Sequence, residues 1–280
     1  KDFSPPVVLA DGAVTYWGTL PGKNNPRALF VQRGDSPSLV LRSGDAGLDG
    51  QTLTGDGAAP VVIARLTDDT GAANLVFRVE GGKLTRLLAE AASPTPATSI
   101  VALDTYTVRS NTILRHTTFS PRVIRPFQPP LNLPGDSLTL LRNGGATSVI
   151  TTQTTISGLS LSTLSDVTLD PSGGRIVFMG RVQGSTDTDI RRGVFAWEAG
   201  NLTTLISPGS VVAGTPMSVR GVAVADDGAI AIFDDAGPRI LLWRAGEIVE
   251  LIGPQARTTD GAGVDLAPPS FGNRPSVWID

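Results

Sequence analysis

Short apolar runs and turn residues alternate along this chain, and the alternation itself repeats. The clearest copies of the repeating phrase run over 167–206 and 222–252, and each holds four short apolar runs separated by glycine-containing turns. That pattern predicts a four-stranded antiparallel meander. Self-similarity at a period of some tens of residues indicates a repeat architecture, and four strands per unit favour a propeller blade. We therefore predict an all-β fold, a β-propeller of about five recognisable four-stranded blades, alone or as part of a larger ring.

The predicted blades form a single domain over 1–280, with approximate limits at 5–55, 56–98, 99–157, 158–218 and 219–274. The second unit shows no clear innermost strand unless 51–54 supplies it. The third departs furthest from the pattern, with inner strands expected at 99–103 and 112–116. The ending 275–280 resembles the first strand of a further unit, or a strand that closes the ring. Since the first blade has four strands of its own, we favour a chain that stops inside a longer array.

The composition narrows the function classes. A net charge of −3 and a pI near 5.2 argue against a protein that binds nucleic acid or an anionic membrane through a basic face. There are no cysteines, so disulfides and thiolate metal sites are excluded. No apolar stretch approaches the roughly 20 residues of a membrane-spanning helix. Richness in glycine, proline, threonine and serine favours an exported protein, either extracellular, at the cell surface or periplasmic.

The unit also resembles two related repeat families. Its phrase is an inner strand ending near aspartate, a glycine turn, an Ile-Val-Phe-like strand, a Gly-Val-Phe-x-Trp strand and a Leu-Thr-Thr-Leu strand. This resembles the TolB-type propeller repeat, whose Ser-Pro-Asp-Gly is matched most nearly at 170–173. It also resembles the Asn-x-x-Gly-x-x-Ala-Phe repeat of bacterial tandem-repeat surface proteins, to which 11–16 and 227–233 are similar, although no asparagine fills the family position. The resemblance rests on blade-building residues, so it implies the fold and not an activity.

Candidate catalytic residues are few. His116 is the only histidine, and no Gly-x-Ser-x-Gly elbow supplies a nucleophile for it, so we predict that it packs or is solvated. Clustered acids could serve glycoside hydrolysis or bind calcium. Asp170 and Asp226 are the best candidates for an acid pair because both follow predicted inner strands. No segment carries a twelve-residue calcium loop, however, and aspartates in turns often hydrogen-bond their own backbone. The clusters are Asp68 with Asp69, Asp187 with Asp189, Asp226 with Asp227, and Asp234 with Asp235.

Four tryptophans could form a sugar-binding set: Trp17, Trp197, Trp243 and Trp278. Trp197 and Trp243 occupy equivalent positions in their repeats, next to the turn after the third strand. Equivalent apolar positions in successive repeats are most simply explained by packing between blades. We therefore predict packing for these side chains.

Three long insertions are better candidates for a binding site, because loops on a rigid scaffold carry function more often than the scaffold itself. They run over 43–57, 121–134 and 257–273. Proline-rich loops lose little further conformational entropy when they dock on a partner. The alternative is that they cover a face or an edge of the propeller. The candidate binding residues are Pro126, Phe127, Pro129, Pro130, Phe271 and Arg274.

The sequence thus predicts a non-enzymatic interaction or structural module, with other protein subunits as its partners and no nucleic acid. We assign no catalytic and no metal-binding residue, and we expect no cofactor, with calcium as an open option. Two alternatives remain: a glycan-active hydrolase with acids near the propeller axis, and a calcium-stabilised propeller that binds carbohydrate.

Overall fold

A computed structural model describes most of the chain. The described residues are 6–21, 26–42, 52–57, 59–68, 71–91, 100–121, 135–185, 191–225, 227–235, 239–244 and 246–252. All regular elements in these ranges are β-strands, which confirms the predicted all-β class. Within the same ranges, no helix has the length and apolar character that crossing a membrane requires.

The strands form consecutive antiparallel sheets, which we number in chain order. The first sheet contains β1 (Val7–Val8), β2 (Val14–Thr19), β3 (Arg27–Arg33) and β4 (Ser36–Arg42). The second contains β5 (Thr52–Asp56), β6 (Ala59–Asp68), β7 (Gly71–Glu80) and β8 (Lys83–Ala91). The third contains β9 (Ile100–Arg109), β10 (Thr112–Pro121), β11 (Ser137–Arg142) and β12 (Gly145–Thr151).

The last two sheets are each accompanied by a short element: the fourth has an additional short first strand, and a separate hairpin precedes the fifth. The fourth sheet contains β13 (Thr155–Ile156), β14 (Leu159–Leu169), β15 (Arg175–Val182), β16 (Arg192–Glu198) and β17 (Asn201–Ile206). A separate hairpin of β18 (Val211–Val212) and β19 (Thr215–Pro216) follows. The fifth sheet contains β20 (Val219–Val224), β21 (Ile230–Asp234), β22 (Arg239–Arg244) and β23 (Glu247–Ile252).

The innermost strands of successive sheets lie beside one another: β1, β5, β9, β14 and β20. β1 contacts β5, β5 contacts β9, β9 contacts β14, and β14 contacts β20. Each sheet is a meander whose strands are hydrogen-bonded in sequence order, so its later strands lie progressively further from this inner row. Inner strands that meet while outer strands diverge are the arrangement of propeller blades, and the fold is a β-propeller.

Hydrophobic clusters fill the spaces between neighbouring sheets. Trp17 and Leu29 of the first sheet pack with Val62 of the second. Val76 of the second packs with Tyr106 of the third. Two further clusters join the third sheet to the fourth, through Leu138, Ile176 and Phe195, and the fourth to the fifth, through Val177, Met179 and Ile232.

The position of a sheet explains its hydrophobic pattern. β11 alternates between buried and partly exposed residues, with Leu138 and Leu140 buried in the cluster shared with the fourth sheet. β15 and β16 belong to a sheet covered on both faces, and their central residues are all buried. A strand buried on both faces reads as a continuous apolar run instead of an alternating one. Burial on both faces therefore explains the continuous Ile-Val-Phe-Met run of β15.

Two details differ from the sequence interpretation. The interpretation of 43–57 as one long loop is wrong at its end, because β5 occupies Thr52–Asp56 and pairs with β6 as the innermost strand of the second sheet. The inner strands of the third sheet are longer than predicted and pair from Ile100 with Pro121 up to Arg109 with Thr112. The limits assigned to the blades stay a prediction.

A candidate interaction face

The propeller has two unlike faces, which we name by their connections. On the turn face, first strands join second strands and third strands join fourth strands through tight turns, such as Gly81–Gly82 and Ser110–Asn111. On the loop face, second strands join third strands and each sheet joins the next. Every internal stretch outside the described residues that is longer than two residues begins and ends at the loop face.

Polar contacts between neighbouring sheets run along the turn face. The N–H of Ala10 donates to the carbonyl of Gly57 at 3.0 Å. The N–H of Ser110 donates to Asp56 Oδ1 at 2.9 Å, and its hydroxyl donates to the carbonyl of Pro171 at 2.8 Å. The Arg175 guanidinium lies 4.8 Å from the centroid of the Trp243 ring, a cation–π contact. The turns between the first and second strands of the first three sheets are therefore each engaged by the next sheet.

The turn aspartates serve their own hairpins. Asp11 Oδ1 accepts the N–H of Ala13 at 3.1 Å, and its other oxygen accepts Arg33 Nε at 3.0 Å and Nη2 at 2.8 Å. Hydrogen bonds from the Arg33 side chain are the main cause that lowers the pKa of Asp11. In the fifth sheet, Asp227 accepts the N–H of Ala229 at 2.9 Å and pairs with Arg244.

Asp170, one of the two proposed acids, has the same structural role. Its Oδ1 accepts the N–H of Arg175 at 2.8 Å, and its Oδ2 accepts the hydroxyl of Ser172 at 2.6 Å. It lies in the turn after β14, on the turn face. The second proposed acid, Asp226, lies outside the described residues, so the structure does not bring the two together as a pair.

The tryptophans that the structure describes pack between sheets. Trp17 is buried between the first and second sheets. Trp197 pairs with Ile176 and lies in the cluster between the third and fourth sheets, whereas Trp243 pairs with Ile230 and packs between the fourth and fifth. These equivalent registers are those expected of blade packing. Trp278 lies outside the described residues.

His116 is a half-buried residue of β10, opposite Thr105 of β9 and Leu138 of β11. The Thr105 hydroxyl donates to its backbone carbonyl at 3.4 Å. Within the described ranges, no group of three or more histidine or acidic side chains is placed to hold a metal ion. Asp69, Asp187 and Asp189 lie outside those ranges.

The three insertions leave from strand ends on the loop face. The segment 43–51 follows β4, 122–134 follows β10, and the chain beyond Ile252 follows β23. The candidate binding residues all lie outside the described residues: Pro126, Phe127, Pro129, Pro130, Phe271 and Arg274. What the topology establishes is that the strands flanking these segments end on one side of the propeller.

A polar network between the second and third sheets escaped the sequence analysis. Asn74 Nδ2 donates to Asp104 Oδ2 at 2.9 Å, and Thr117 Oγ1 donates to Asp104 Oδ1 at 2.7 Å. Two residues further along β9, the Tyr106 hydroxyl donates to Glu90 Oε1 at 3.0 Å. Arg115 Nη1 donates to the same oxygen at 3.0 Å. Burial and the charges of Asp104 and Glu90 raise the pKa of Tyr106, so its hydroxyl keeps its proton. Satisfied networks of this kind fix how two surfaces align.

Comparison of sequences gives no relative: no protein-family model and no curated protein matches the chain.

Comparison of structures finds propeller-like proteins. The chain is similar to the acylaminoacyl peptidase of Pyrococcus horikoshii, with a TM-score of 0.53 and 11% identity over 91% of this chain and 39% of that one. It is similar to an oligogalacturonate lyase solved in complex with manganese, with a TM-score of 0.50 and 14% identity over 89% of this chain and 64% of that one. TolB from Acinetobacter baumannii follows at a TM-score of 0.46 and 11% identity, over 90% and 55% of the two chains.

The chain spans about two fifths of the length of the peptidase and just over half the length of TolB. At these identities the likeness concerns the fold alone, since propellers host many unrelated activities. The repeat family suggested by the sequence therefore stays a prediction. The chain folds as a β-propeller similar in architecture to these proteins.

Proposed function

We propose that this chain is an exported, non-enzymatic interaction module that joins other protein subunits in a cell-surface or extracellular assembly through its loop face. The observation that carries the proposal is the difference between the two faces. On the turn face, the turns between first and second strands contact the next sheet, and the carboxylates of Asp56, Asp170 and Asp227 accept backbone N–H groups. The strands that flank the long connections end at the loop face, in several sheets.

The same observations weigh against the hydrolase alternative. A glycosidase needs two carboxylates placed on either side of a bond, one of them free to exchange a proton. Asp170 is committed to the turn that it closes, with its two oxygens bound to Arg175 and Ser172. A binding role does not require two placed carboxylates. It requires only a rigid scaffold that presents loops.

Within this proposal, the loop 121–134 and the segment 257–273 contact the partner. Phe127 and Phe271 are the apolar anchors, flanked by Pro126, Pro129, Pro130 and Arg274. Aromatic and arginine side chains dominate the binding energy of protein interfaces. Prolines limit the conformations that a loop must give up on docking.

The first test is the native mass and composition of the protein purified from its source. Size exclusion with light scattering is followed by mass spectrometry of the proteins that co-elute. We expect a complex of fixed stoichiometry, heavier than the 29.1 kDa of this chain. A monomer without co-eluting protein, or turnover on a glycan panel, would reject the proposal.

The second test assigns the face. A Phe127→Ala variant and a Phe271→Ala variant should each weaken the isolated complex, while Arg33→Gln on the turn face serves as the matched control. Arg33 is exposed and pairs with the turn aspartate Asp11, so its loss should leave assembly intact. Assembly lost in Arg33→Gln but retained in both phenylalanine variants would place the interface on the wrong face.

A further inference from the structure

Two exposed apolar side chains lie on the last strands of the two terminal sheets. Leu39 of β4 is 44% exposed, and Val249 of β23 is 58% exposed. Single apolar side chains scattered over a surface are ordinary, so their exposure alone indicates nothing. Their place in the register that all five sheets share shows which face of its sheet each of them occupies.

The last two strands of every sheet pair with one shift in register. In the first four sheets, the residue of the next-to-last strand just before the shift packs into the cluster shared with the following sheet: Leu29, Val76, Leu138 and Val194. Ile240 has this place in the fifth sheet. We call the face that carries this residue the forward face of a sheet, and the opposite one its backward face.

The outer rim of the forward face is polar in every sheet except the fifth. Side chains alternate between faces along a strand, so the residue two places after the shift residue also lies on the forward face. Its partner on the last strand carries a hydroxyl in the first four sheets: Ser38, Thr85, Thr147 and Thr203. In the fifth sheet, the partner is Val249, opposite Leu242.

The outer rim of the backward face is polar in every sheet except the first. The residue just after the shift lies on this face, and its partner on the last strand is polar in the second to fifth sheets: Arg86, Ser148, Thr204 and Glu250. In the first sheet, the partner is Leu39, opposite Phe30. The rim positions between consecutive sheets are therefore polar, and the two apolar residues lie on the faces at the two ends of the row.

Polar residues suit this rim because solvent reaches it even between consecutive sheets, as the exposure of Thr85 and Thr147 shows. An apolar residue contributes to stability there only where a further surface covers it. Among the described strands, every extensive contact between sheets joins consecutive sheets, and none joins the fifth sheet to the first. The exposed parts of Leu39 and Val249 are therefore available to a second molecule.

We propose that copies of this chain associate head to tail, with the forward face of the fifth sheet of one copy against the backward face of the first sheet of the next. The argument for a copy is continuity with the interfaces inside the chain, each of which joins a forward face to a backward face. One chain carries both halves of a further interface of this kind. Val249 and Leu39 have neighbouring places in the common register, so such a contact brings them together.

This association uses residues other than those of the loop-face interface proposed above, and it requires no other protein. The test is sedimentation equilibrium of the purified full chain alone. We expect reversible self-association that becomes measurable at about 10–100 µM, the strength of a weak contact. Because that measurement contains no second protein, its outcome is separate from that of the native-complex test.

Two substitutions test the contact with residues that other sheets carry at the same places, so the fold should be retained. Leu39→Ser should weaken self-association roughly tenfold, because it removes a large apolar side chain from the contact. Val249→Thr should weaken it roughly fivefold, because a hydroxyl replaces a methyl group of similar size. Thermal melting of each variant verifies that it is folded.

The other exposed apolar residues supply matched controls. Leu103 of β9 is 47% exposed and Val211 of β18 is 61% exposed, and neither lies on a terminal face. Leu103→Ser and Val211→Thr make the same chemical changes at similar exposure. Both control variants should associate like the wild type.

A mixture of the two test variants determines the direction of the contact. Leu39→Ser keeps an intact forward face and Val249→Thr an intact backward face, so an equimolar mixture should form a 1:1 dimer with wild-type affinity and add no further copies. Head-to-tail contacts allow this rescue, whereas a contact between two identical faces does not.

Three results would overturn the proposal. The first is a wild type that stays monomeric throughout this concentration range, which would leave the terminal faces to each other or to another polypeptide. The second is an equal loss of association in the test variants and their controls. The third is a mixture that associates no better than its separate components.

Discussion

At the scale of single residues, the carboxylates of this propeller divide by environment. Asp11 is exposed in part and held by Arg33, which lowers its pKa. Asp136 precedes β11 and is buried, and burial raises its pKa against the opposing effect of the N–H of Leu164, which donates to Oδ2 at 2.9 Å. The folded state therefore favours the charged form of one aspartate and the neutral form of the other.

The two aspartates should affect stability with opposite signs as pH changes. Because the pKa of Asp136 is raised on folding, its charge costs stability above the unfolded value of 3.8, and Asp136→Asn should stabilise the protein at pH 7. The gain should disappear as pH falls below 3.8. Because the pKa of Asp11 is lowered, Asp11→Asn should destabilise at pH 7, and that loss should close as pH falls through the folded pKa.

Urea unfolding of both variants and the wild type at pH 3, 5 and 7 would measure these differences. Asparagine keeps an oxygen that can accept the N–H of Leu164, so Asp136→Asn removes the charge with little change in hydrogen bonding. A loss of stability in Asp136→Asn at pH 7, or differences that do not depend on pH in either variant, would contradict this account.

At the scale of elements, the turns carry conformations that only some residues adopt. Gly12 has φ 77° and lies in the turn between β1 and β2, and Gly173 has φ 74° and lies in the turn between β14 and β15. A Cβ at Gly12 would meet nothing within 4 Å. A Cβ at Gly173 would lie 2.9 Å from the carbonyl oxygen of Arg109 and 2.9 Å from the Cβ of Thr112, in the neighbouring sheet.

This pair of glycines separates backbone strain from crowding between sheets. Gly12→Ala should cost about 1–2 kcal/mol of unfolding free energy, the usual penalty for a side chain in a left-handed conformation. Gly173→Ala should cost that amount and about 1–3 kcal/mol more, because backbone and side-chain atoms of the third sheet must move aside. Denaturant unfolding measures the loss of unfolding free energy in both variants. Equal losses would show that the atoms of the third sheet move aside without cost.

Sequence patterns predicted strands and turns well where a single physical requirement fixed the residue types. The apolar run of β15 and the Asp-Gly turn at 11–12 were readable because burial on both faces and positive φ each demand particular residues. The second half of β9 was missed, since Asp104, Thr105 and Thr107 look like loop residues. Threonine fits a pleated strand, and Asp104 is tolerated because Asn74 and Thr117 donate to it.

The candidate site was less predictable for the same kind of reason. Asn74 and Asp104 are 30 positions apart, and only the packing of the second sheet against the third brings their side chains into contact. Glu90 and Arg115 likewise come from two different sheets. Clusters that depend on long-range pairing are invisible to local patterns, whereas the equivalent registers of Trp197 and Trp243 could be read from the repeat itself.

At the scale of the whole molecule, each sheet is completed by its neighbours. The cluster between the fourth and fifth sheets includes Val177, Met179 and Val194 from one side and Ile230 and Ile232 from the other. Repeat proteins of this kind gain stability from interfaces between nearest neighbours, so no sheet buries its apolar faces alone.

Removing the fifth sheet should therefore expose an apolar surface without unfolding the rest. A chain ending at Ile206 should bind a hydrophobic dye and associate at micromolar concentration, because the Val177 face of the fourth sheet loses its cover. A chain ending at Ile252, which keeps all five sheets, is the control. Dye fluorescence and light scattering give the comparison, and a monodisperse, dye-free 1–206 chain would contradict it.

The hairpin of β18 and β19 belongs to the sheet that follows it. Arg239 of β22 is buried, with its Nε 2.8 Å from Asp234 Oδ2, and it donates to the hairpin carbonyls of Val212 at 3.0 Å and Thr215 at 3.4 Å. A fragment designed to transfer the fifth sheet to another protein should therefore begin near Ser207, before the hairpin. If it were cut at Val219, the Arg239 guanidinium would lose two of its hydrogen-bond acceptors. A change in linker length would not replace them.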